Sequence, residues 1–428
     1  MRPAWESGWR GRLYALGRRL TPLSWRRAIR RRVETERLLG LRKPAMDLPA
    51  LAAEPGPALP GRPDVFMLPV IPWTYRRQRP QQLAEALARR GRRVFYGSVG
   101  GSGEPDAPVA AAPGVILLPI PGMRHQDLPE RRLVGSALDA ALSGMTRARE
   151  RFAVTEAVVV AESPFWAPLA SALSDRFGWS VVYDCLDAHE GFRANRPGVL
   201  AEAERELLSA SDLVLATSEP LRQRLSSGRV ECRLLPNACD WALFASLPPP
   251  SPSPQRLVVG YAGAVDHWFD MDLLDRLAQL TPQWRFEIAG GLGDSAVPIR
   301  RGNVTFHGEL PHGEMPAFRS RLDVEIIPFR LSELTHATDP VKLYEAAAAG
   351  RMVVATPMAS LAPFVRLGVA RVAATAEEFV REIAAAAAGA AQSAPRQREF
   401  ARGNTWDIRA AALDGWLAAL PRRTAAAR

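Results

Sequence analysis

The chain has 428 residues, 47% hydrophobic and 23% charged, a globular balance long enough for two domains and a tail. Its net charge of +10 is local: residues 1–43 hold 13 Arg or Lys against 3 Glu, so of the 55 basic and 45 acidic residues the remainder keeps 42 of each. A neutral body argues against a nucleic-acid-reading surface on the fold itself. Three cysteines, Cys185, Cys232 and Cys239, argue against a disulfide framework, and without a second pair or histidines they do not make a zinc site.

Residues 1–45 read as a basic arm. They contain no uninterrupted apolar core of the about seven residues a secretory signal needs. No segment of the chain approaches the roughly 20 apolar residues of a membrane span. Trp9, Leu13, Leu16 and Leu20, then Trp25, Ile29 and Val33, fall at helical spacing with arginines between them. That pattern suits a helix lying on an anionic membrane, and equally an arm packed on its own protein or a disordered tail. Residues 46–63, rich in Ala, Pro and Gly, read as linker.

A first domain spans 64–247. DVFMLPVIPW is an apolar run, and after a polar loop Arg79-Pro80 opens a helix that Gly91 ends before a second strand at Val94. Strand, helix and strand of this length form a βαβ unit, which crosses right-handed into a parallel sheet. The first turn lacks the Gly-rich fingerprint of dinucleotide enzymes. It offers Trp73, Arg76 and Arg79 instead, candidates for the acceptor side of a cleft. Further strands are predicted at 114–121, 157–166, 180–187 and 213–218. The segment Tyr183 to Phe192 puts Asp184, Asp187, His189 and Glu190 just past the end of a strand, the edge where α/β sites gather. Asp187 or Asp184 is a candidate base toward an acceptor hydroxyl; helix capping accounts for either equally well. His189 is a further acceptor-side candidate.

LPPPSPSPQ, with five prolines in nine residues, cannot lie inside a helix or strand. A hinge is therefore placed at 248–255. The second domain, 256–394, opens on a strand at Leu257 to Tyr261 and reaches Gly263, where backbone can approach a diphosphate closely. Asp266, His267, Trp268 and Asp270 follow with no cation among them; a divalent metal on the two aspartates has weak support from spacing alone. His307-Gly308 ends another strand, and His307 is a donor-side candidate. Residues 323–357 then read as strand, irregular polar loop (Leu331 to Asp339), helix with Pro340 in its first turn, glycine stop at Gly350 and strand. Lys342 and Glu345 fall in the first turns of that helix, a cation for phosphate and an acceptor for hydroxyls. Lys342 is one of only two lysines in the chain, Lys43 being the other. Residues 395–428 read as a C-terminal helix.

This stretch resembles the glycosyltransferases of the two-Rossmann-domain GT-B fold, close to family four and its bacterial polysaccharide-assembly relatives. The family carries two glutamates eight positions apart ahead of a small-residue helix ending in Gly. Glu345 matches the second, which in the family binds the nucleotide ribose; at the first stands Ala337, and Thr338 or Asp339 is left to take over its contact with the donor sugar. The W-x-x-x-x-Q-R-P-Q-x-L run from Trp73 to Leu83 is similar to the start of the same relatives. In the family the loop at His307 lies near the nucleobase and diphosphate, and the C-terminal helix crosses back onto the first domain, here by way of Trp406, Trp416 and Leu417.

The resemblance implies an α/β enzyme of two Rossmann-like domains facing a cleft. It would move a sugar from a nucleoside-diphosphate sugar, a co-substrate with no further cofactor required, to a hydroxyl of a glycan or lipid-linked acceptor in cell-surface polysaccharide biosynthesis. It would work in the cytoplasm, with residues 1–43 on the inner face of the membrane. Two other readings stay open: a nucleotide-sugar epimerase or hydrolase on the same fold, and a non-catalytic nucleotide-sensing module with a nucleic-acid-binding arm.

Overall fold

The computed structural model describes residues 56–98, 106–122, 132–192, 197–226, 230–253, 255–293 and 296–421. The basic arm, the first part of the linker and the last residues, 422–428, lie outside the described residues.

Short runs of β-branched and other apolar residues, buried on both faces except in the edge strands, make the two sheets. The first comprises β1 Asp64–Leu68, β2 Val94–Ser98, β3 Val109–Ala112, β4 Val115–Pro119, β5 Ala157–Ala161, β6 Ser180–Cys185, β7 Leu213–Ala216 and β8 Cys232–Leu234. Its order is β3-β4-β2-β1-β5-β6-β7-β8, parallel except where β3 meets β4. β1 sets the register, with Val65 beside Val94 on one side and Val158 on the other. The second comprises β9 Val258–Ala262, β10 Arg285–Ala289, β11 Val304–Gly308, β12 Val324–Ile327, β13 Met352–Ala355 and β14 Ala370–Val372. Its order is β11-β10-β9-β12-β13-β14, parallel throughout. The sequence pattern anticipates the other strands, the four-residue β7, β12 and β13 included; it does not mark β3, β8 and β14, which lie at sheet edges.

Helices cover both faces of the first sheet. Side chains from Ser136–Arg151, Ala167–Phe177 and Glu219–Leu225 pack on one. The other receives Arg79–Arg89 and, from the far end of the chain, Trp406–Ala418, whose Trp406, Leu413 and Leu417 join Leu83 and Leu87 in one core. The C-terminal segment is thus two helices rather than one. Ala390–Arg402 stays on the second domain, where Phe400 stacks on Tyr344 at 5.7 Å. The crossing falls at 403–405, where Cys239 donates its amide to Asn404.

The region from Leu331 to Asp339 is not irregular: Glu333–Ala337 is a short helix, because Ser332 accepts the amide of Thr335 while Thr335 accepts that of Ser332. Pro340 is the N-cap of the next helix, Val341–Ala348, one position ahead of its expected place. Gly350, at φ +74°, ends it. Among the described residues no helix is long and apolar enough to cross a membrane.

Candidate active site

In an open parallel sheet, ligands bind beyond the carboxyl ends of the strands where the strand order reverses. Those reversals fall between β1 and β5 in one sheet and between β9 and β12 in the other. One cavity of about 750 Å³ spans both, walled by Val70, Ile71, Ser163 and Asp187 of the first domain and by Gly263, Gly290, Lys342 and Glu345 of the second. That is the size of a site for a whole nucleotide-sized ligand.

The helix Val341–Ala348 aims two groups at it. Lys342 extends over aromatic faces, its Nζ 4.9 Å from the Phe329 ring centre and 5.4 Å from that of Tyr261. Among the described residues it has no carboxylate within ion-pair distance. Burial lowers its pKa to about 8, against the opposing pull of Glu345, so it is a cation at neutral pH. One turn on, Glu345 accepts from Arg319 Nη2 at 2.8 Å. Arg319 is fully buried, and its Nη1 is shared by both oxygens of Glu325, at 2.9 and 3.0 Å. Burial pushes Glu325 up to about 7. A buried guanidinium between two carboxylates fixes Glu345 by geometry and leaves its other oxygen for a ligand hydroxyl.

Gly263 lies at φ +148°, a backbone that side chains rarely adopt, and a Cβ there would stand 2.8 Å from Lys342 Cε. Its neighbour is tighter: a Cβ on Gly290 would meet the Gly263 carbonyl at 1.7 Å. The ends of β9 and β10 are therefore bare backbone beside an ammonium, a cradle for an anion.

Across the cavity, Asp187 Oδ1 stands 3.2 Å from Thr338 Oγ1. Burial raises its pKa to about 6; the Thr338 hydroxyl and the Lys342 charge hold it from rising further. At neutral pH it is an ionised carboxylate poised to take a proton. His189 lines the same wall, and burial lowers it to about 4, leaving a neutral imidazole.

Other sequence candidates fall elsewhere. Both oxygens of Asp184, at 0% exposure, are taken by Arg79, whose Nε and Nη2 donate at 2.9 and 2.8 Å. Arg79 also reaches the Pro236 carbonyl and Asn237. Asp184 is thus a buried structural anion and Arg79, although at the cavity wall, is committed to it. Trp73, an acceptor-side candidate, is buried edge-on against Tyr96 at 5.1 Å. His307 pairs with Glu287 and packs on Phe318; neither it nor Trp73 reaches the cavity.

Ala337 joins the first domain's apolar core, and its carbonyl accepts from the Ser218 hydroxyl. Asp339 lines the cavity, and its carboxylate already accepts from the Asn237 amide at 2.6 Å and from the Tyr344 hydroxyl at 3.0 Å. Thr338 faces Asp187. Asp270 caps the helix Met271–Leu280, Asp266 accepts the His267 amide, and no group of three metal-ligating side chains converges among the described residues. Arg76, expected on the acceptor side, reaches over to Glu309 of the second domain. Sequence reasoning missed Arg319 and Glu309. Nothing in the local pattern marks Arg319, which is 26 residues from the glutamate it holds.

Two Rossmann-like domains facing one cleft, with a cation and a hydroxyl acceptor on the second-domain wall, define the GT-B architecture. Two family descriptions match and between them tile the body, "Glycosyl transferase 4-like domain" over 77–238 and "Glycosyl transferases group 1" over 256–392. The chain belongs to the GT-B glycosyltransferases. A protein of Bacillus subtilis (strain 168), TuaH, described as a teichuronic acid biosynthesis glycosyltransferase, is 27% identical over 214 residues, covering 44% of this chain and 53% of that protein. The chain thus spans about half the length of that relative. Among solved structures, sucrose-phosphate synthase from Thermosynechococcus elongatus superposes with a TM-score of 0.66 at 17% identity, over 83% of this chain and 98% of that one. Anabaena HepE in complex with UDP gives 0.60 at 15%, over 84% and 100%. At such identities the likeness is one of fold.

Proposed function

We propose that this protein transfers a sugar from a nucleoside-diphosphate sugar to a hydroxyl of a glycan or lipid-linked acceptor, in the assembly of a cell-surface polysaccharide. The observation that carries the reading is the pairing of Lys342 and Glu345 on one helix, beside the bare backbone at Gly263 and opposite Asp187. Lys342 would take the diphosphate, Glu345 the ribose hydroxyls, and Asp187 the proton of the acceptor hydroxyl as the new bond forms. The nucleotide-sugar is a co-substrate, and no resident cofactor enters. Rate enhancement would come from positioning across the cleft and from stabilising the departing diphosphate. The relative named for teichuronic acid and the HepE complex with UDP favour a polysaccharide product and a nucleotide donor. The basic arm fits an anionic lipid surface, which would hold the enzyme at the inner membrane face.

The test is a thermal-shift screen of nucleotides and nucleotide-sugars on the wild type, Lys342→Ala and Glu345→Ala. A ligand at about 100 times its Kd stabilises the folded state by roughly 2.7 kcal/mol. One nucleoside diphosphate is expected to raise the wild-type Tm, with the shift lost in both variants. A wild type that no nucleotide stabilises would overturn the reading.

A further inference from the structure

The second-domain cradle at Gly263 is followed by Asp266, His267 and Trp268, so its own loop offers no guanidinium or ammonium. A diphosphate there carries at least two negative charges, and Lys342 matches one. Three arginines line the cavity, Arg76, Arg77 and Arg79, and two are committed to carboxylates of their own domain. Arg77 gives both Nη atoms to Glu85, and Arg79 is locked on Asp184.

Arg76 is placed differently. It comes from the first domain, and its partner Glu309 comes from the second, just past β11; Nε to Oε1 is 2.5 Å and Nη2 to Oε2 is 3.1 Å. Both partners line the cavity. The guanidinium lies directly on the cradle, since a Cβ on Gly291 would stand 2.7 Å from Arg76 Nη2 and 3.0 Å from Glu309 Oε2. Its guanidinium carbon stands 4.7 Å from the Tyr75 ring centre. The side chains of Arg76 and Glu309 are 26% and 15% exposed, so the pair opens on the cavity rather than being sealed in core.

We infer that Arg76 is the second diphosphate-binding cation of this site, supplied by the opposite domain, and that Glu309 holds it in place until the diphosphate displaces the carboxylate. The inference rests on the donor site proposed above. A guanidinium fork pairs with two phosphate oxygens as readily as with a carboxylate, so the exchange keeps the geometry and changes the partner. It also ties donor binding to the position of the first domain, because the residue that reads the second phosphate belongs to that domain.

Titration calorimetry tests this with the best-binding of UDP, GDP, ADP and dTDP, its parent nucleoside, and inorganic pyrophosphate, on the wild type, Arg76→Ala and Glu309→Gln. Arg76→Ala is expected to weaken the nucleoside diphosphate and pyrophosphate about 10- to 100-fold, the worth of a charge-assisted contact, and to leave the nucleoside unchanged. Glu309→Gln is expected to tighten both diphosphates several-fold, because the competing anion is gone. A purely bracing pair gives the opposite sign, a loss in both variants that extends to the nucleoside, and that result overturns the inference. Unchanged diphosphate affinity in Arg76→Ala overturns it equally while leaving the donor site standing. A wild type that binds none of the probes removes the donor site and this inference together.

Discussion

At the scale of single residues, burial moves the two groups proposed for proton and diphosphate, Asp187 and Lys342, toward neutrality from opposite sides. Asp187 is raised to about 6 and Lys342 lowered to about 8, so between these values one is an anion and the other a cation. Binding a diphosphate favours charged Lys342. The complex therefore takes up a proton at any pH above the free-state value, and affinity must fall as pH rises. Nucleoside-diphosphate affinity is expected to be flat from pH 7 to 8 and to drop up to about tenfold per unit beyond it; in Lys342→Arg, whose guanidinium does not titrate there, the drop disappears. Calorimetry from pH 7 to 9.5 checks this, and an identical slope in Lys342→Arg would remove Lys342 from the diphosphate site. The acid side belongs to Asp187. With a donor and acceptor in hand, kcat/KM is expected to fall below about pH 6 as the base takes its proton, and Asp187→Asn to lose about 10²- to 10⁴-fold. That Lys342, Glu345 and Asp187 stand at the cavity follows from a helix start and a strand end, which are local signals, although the groups that hold Glu345 and Asp187, Arg319 and Thr338, are 26 and 151 positions away. The roles of Asp184, Trp73 and His307 were not legible, because Arg79, Tyr96 and Glu287, which claim them, lie 105, 23 and 20 positions away.

At the scale of elements, the same division holds. The long parallel strands announce themselves as apolar runs bounded by turn residues, and the helix between Pro340 and Gly350 by its stop signals. The short helix Glu333–Ala337 hides in a polar loop because it is five residues long, held by a two-residue capping box and three buried side chains, Leu334, Thr335 and Ala337, too few to show a helical period. Glycine turns are the most informative elements here, since their conformation is forced. Gly263→Ala must place a Cβ against Lys342 Cε and 3.1 Å from the Tyr261 hydroxyl, in a left-handed backbone. It is expected to cost about 1–3 kcal/mol of stability and to push Lys342 out of line, so that nucleoside-diphosphate binding weakens as well. Gly302, with nothing within 4 Å of an added Cβ, is the control, and Gly302→Ala should match the wild type in both melting and calorimetry. Unaltered diphosphate binding in Gly263→Ala would mean that the cradle lies elsewhere.

At the scale of the whole molecule, the described chain returns to the domain it built first. After building the second domain it returns as Trp406–Ala418 to seal the first sheet, and one carboxylate anchors the return. Asp414, 5% exposed, accepts from Arg92 Nε at 2.6 Å and from Arg90 and Arg62 at 3.2 Å. Arg92, itself 2% exposed, donates further to the Asp414 and Pro63 carbonyls. Removing the carboxylate leaves a buried guanidinium without its counter-charge, which costs roughly 3–5 kcal/mol. Asp414→Ala is therefore expected to lower the Tm of the first-domain transition by on the order of 10 °C, at about 2–4 °C per kcal/mol for a domain of this size. The same helix offers its own comparison. Asp407 pairs with Arg89 at 2.8 Å, but the two side chains are 67% and 53% exposed, and a solvated pair contributes at most about 1 kcal/mol. Asp407→Ala should melt within about 2–4 °C of the wild type. If the two variants melt alike, burial of Asp414 is not what holds the helix down, and the apolar contacts of Trp406, Leu413 and Leu417 carry the docking alone.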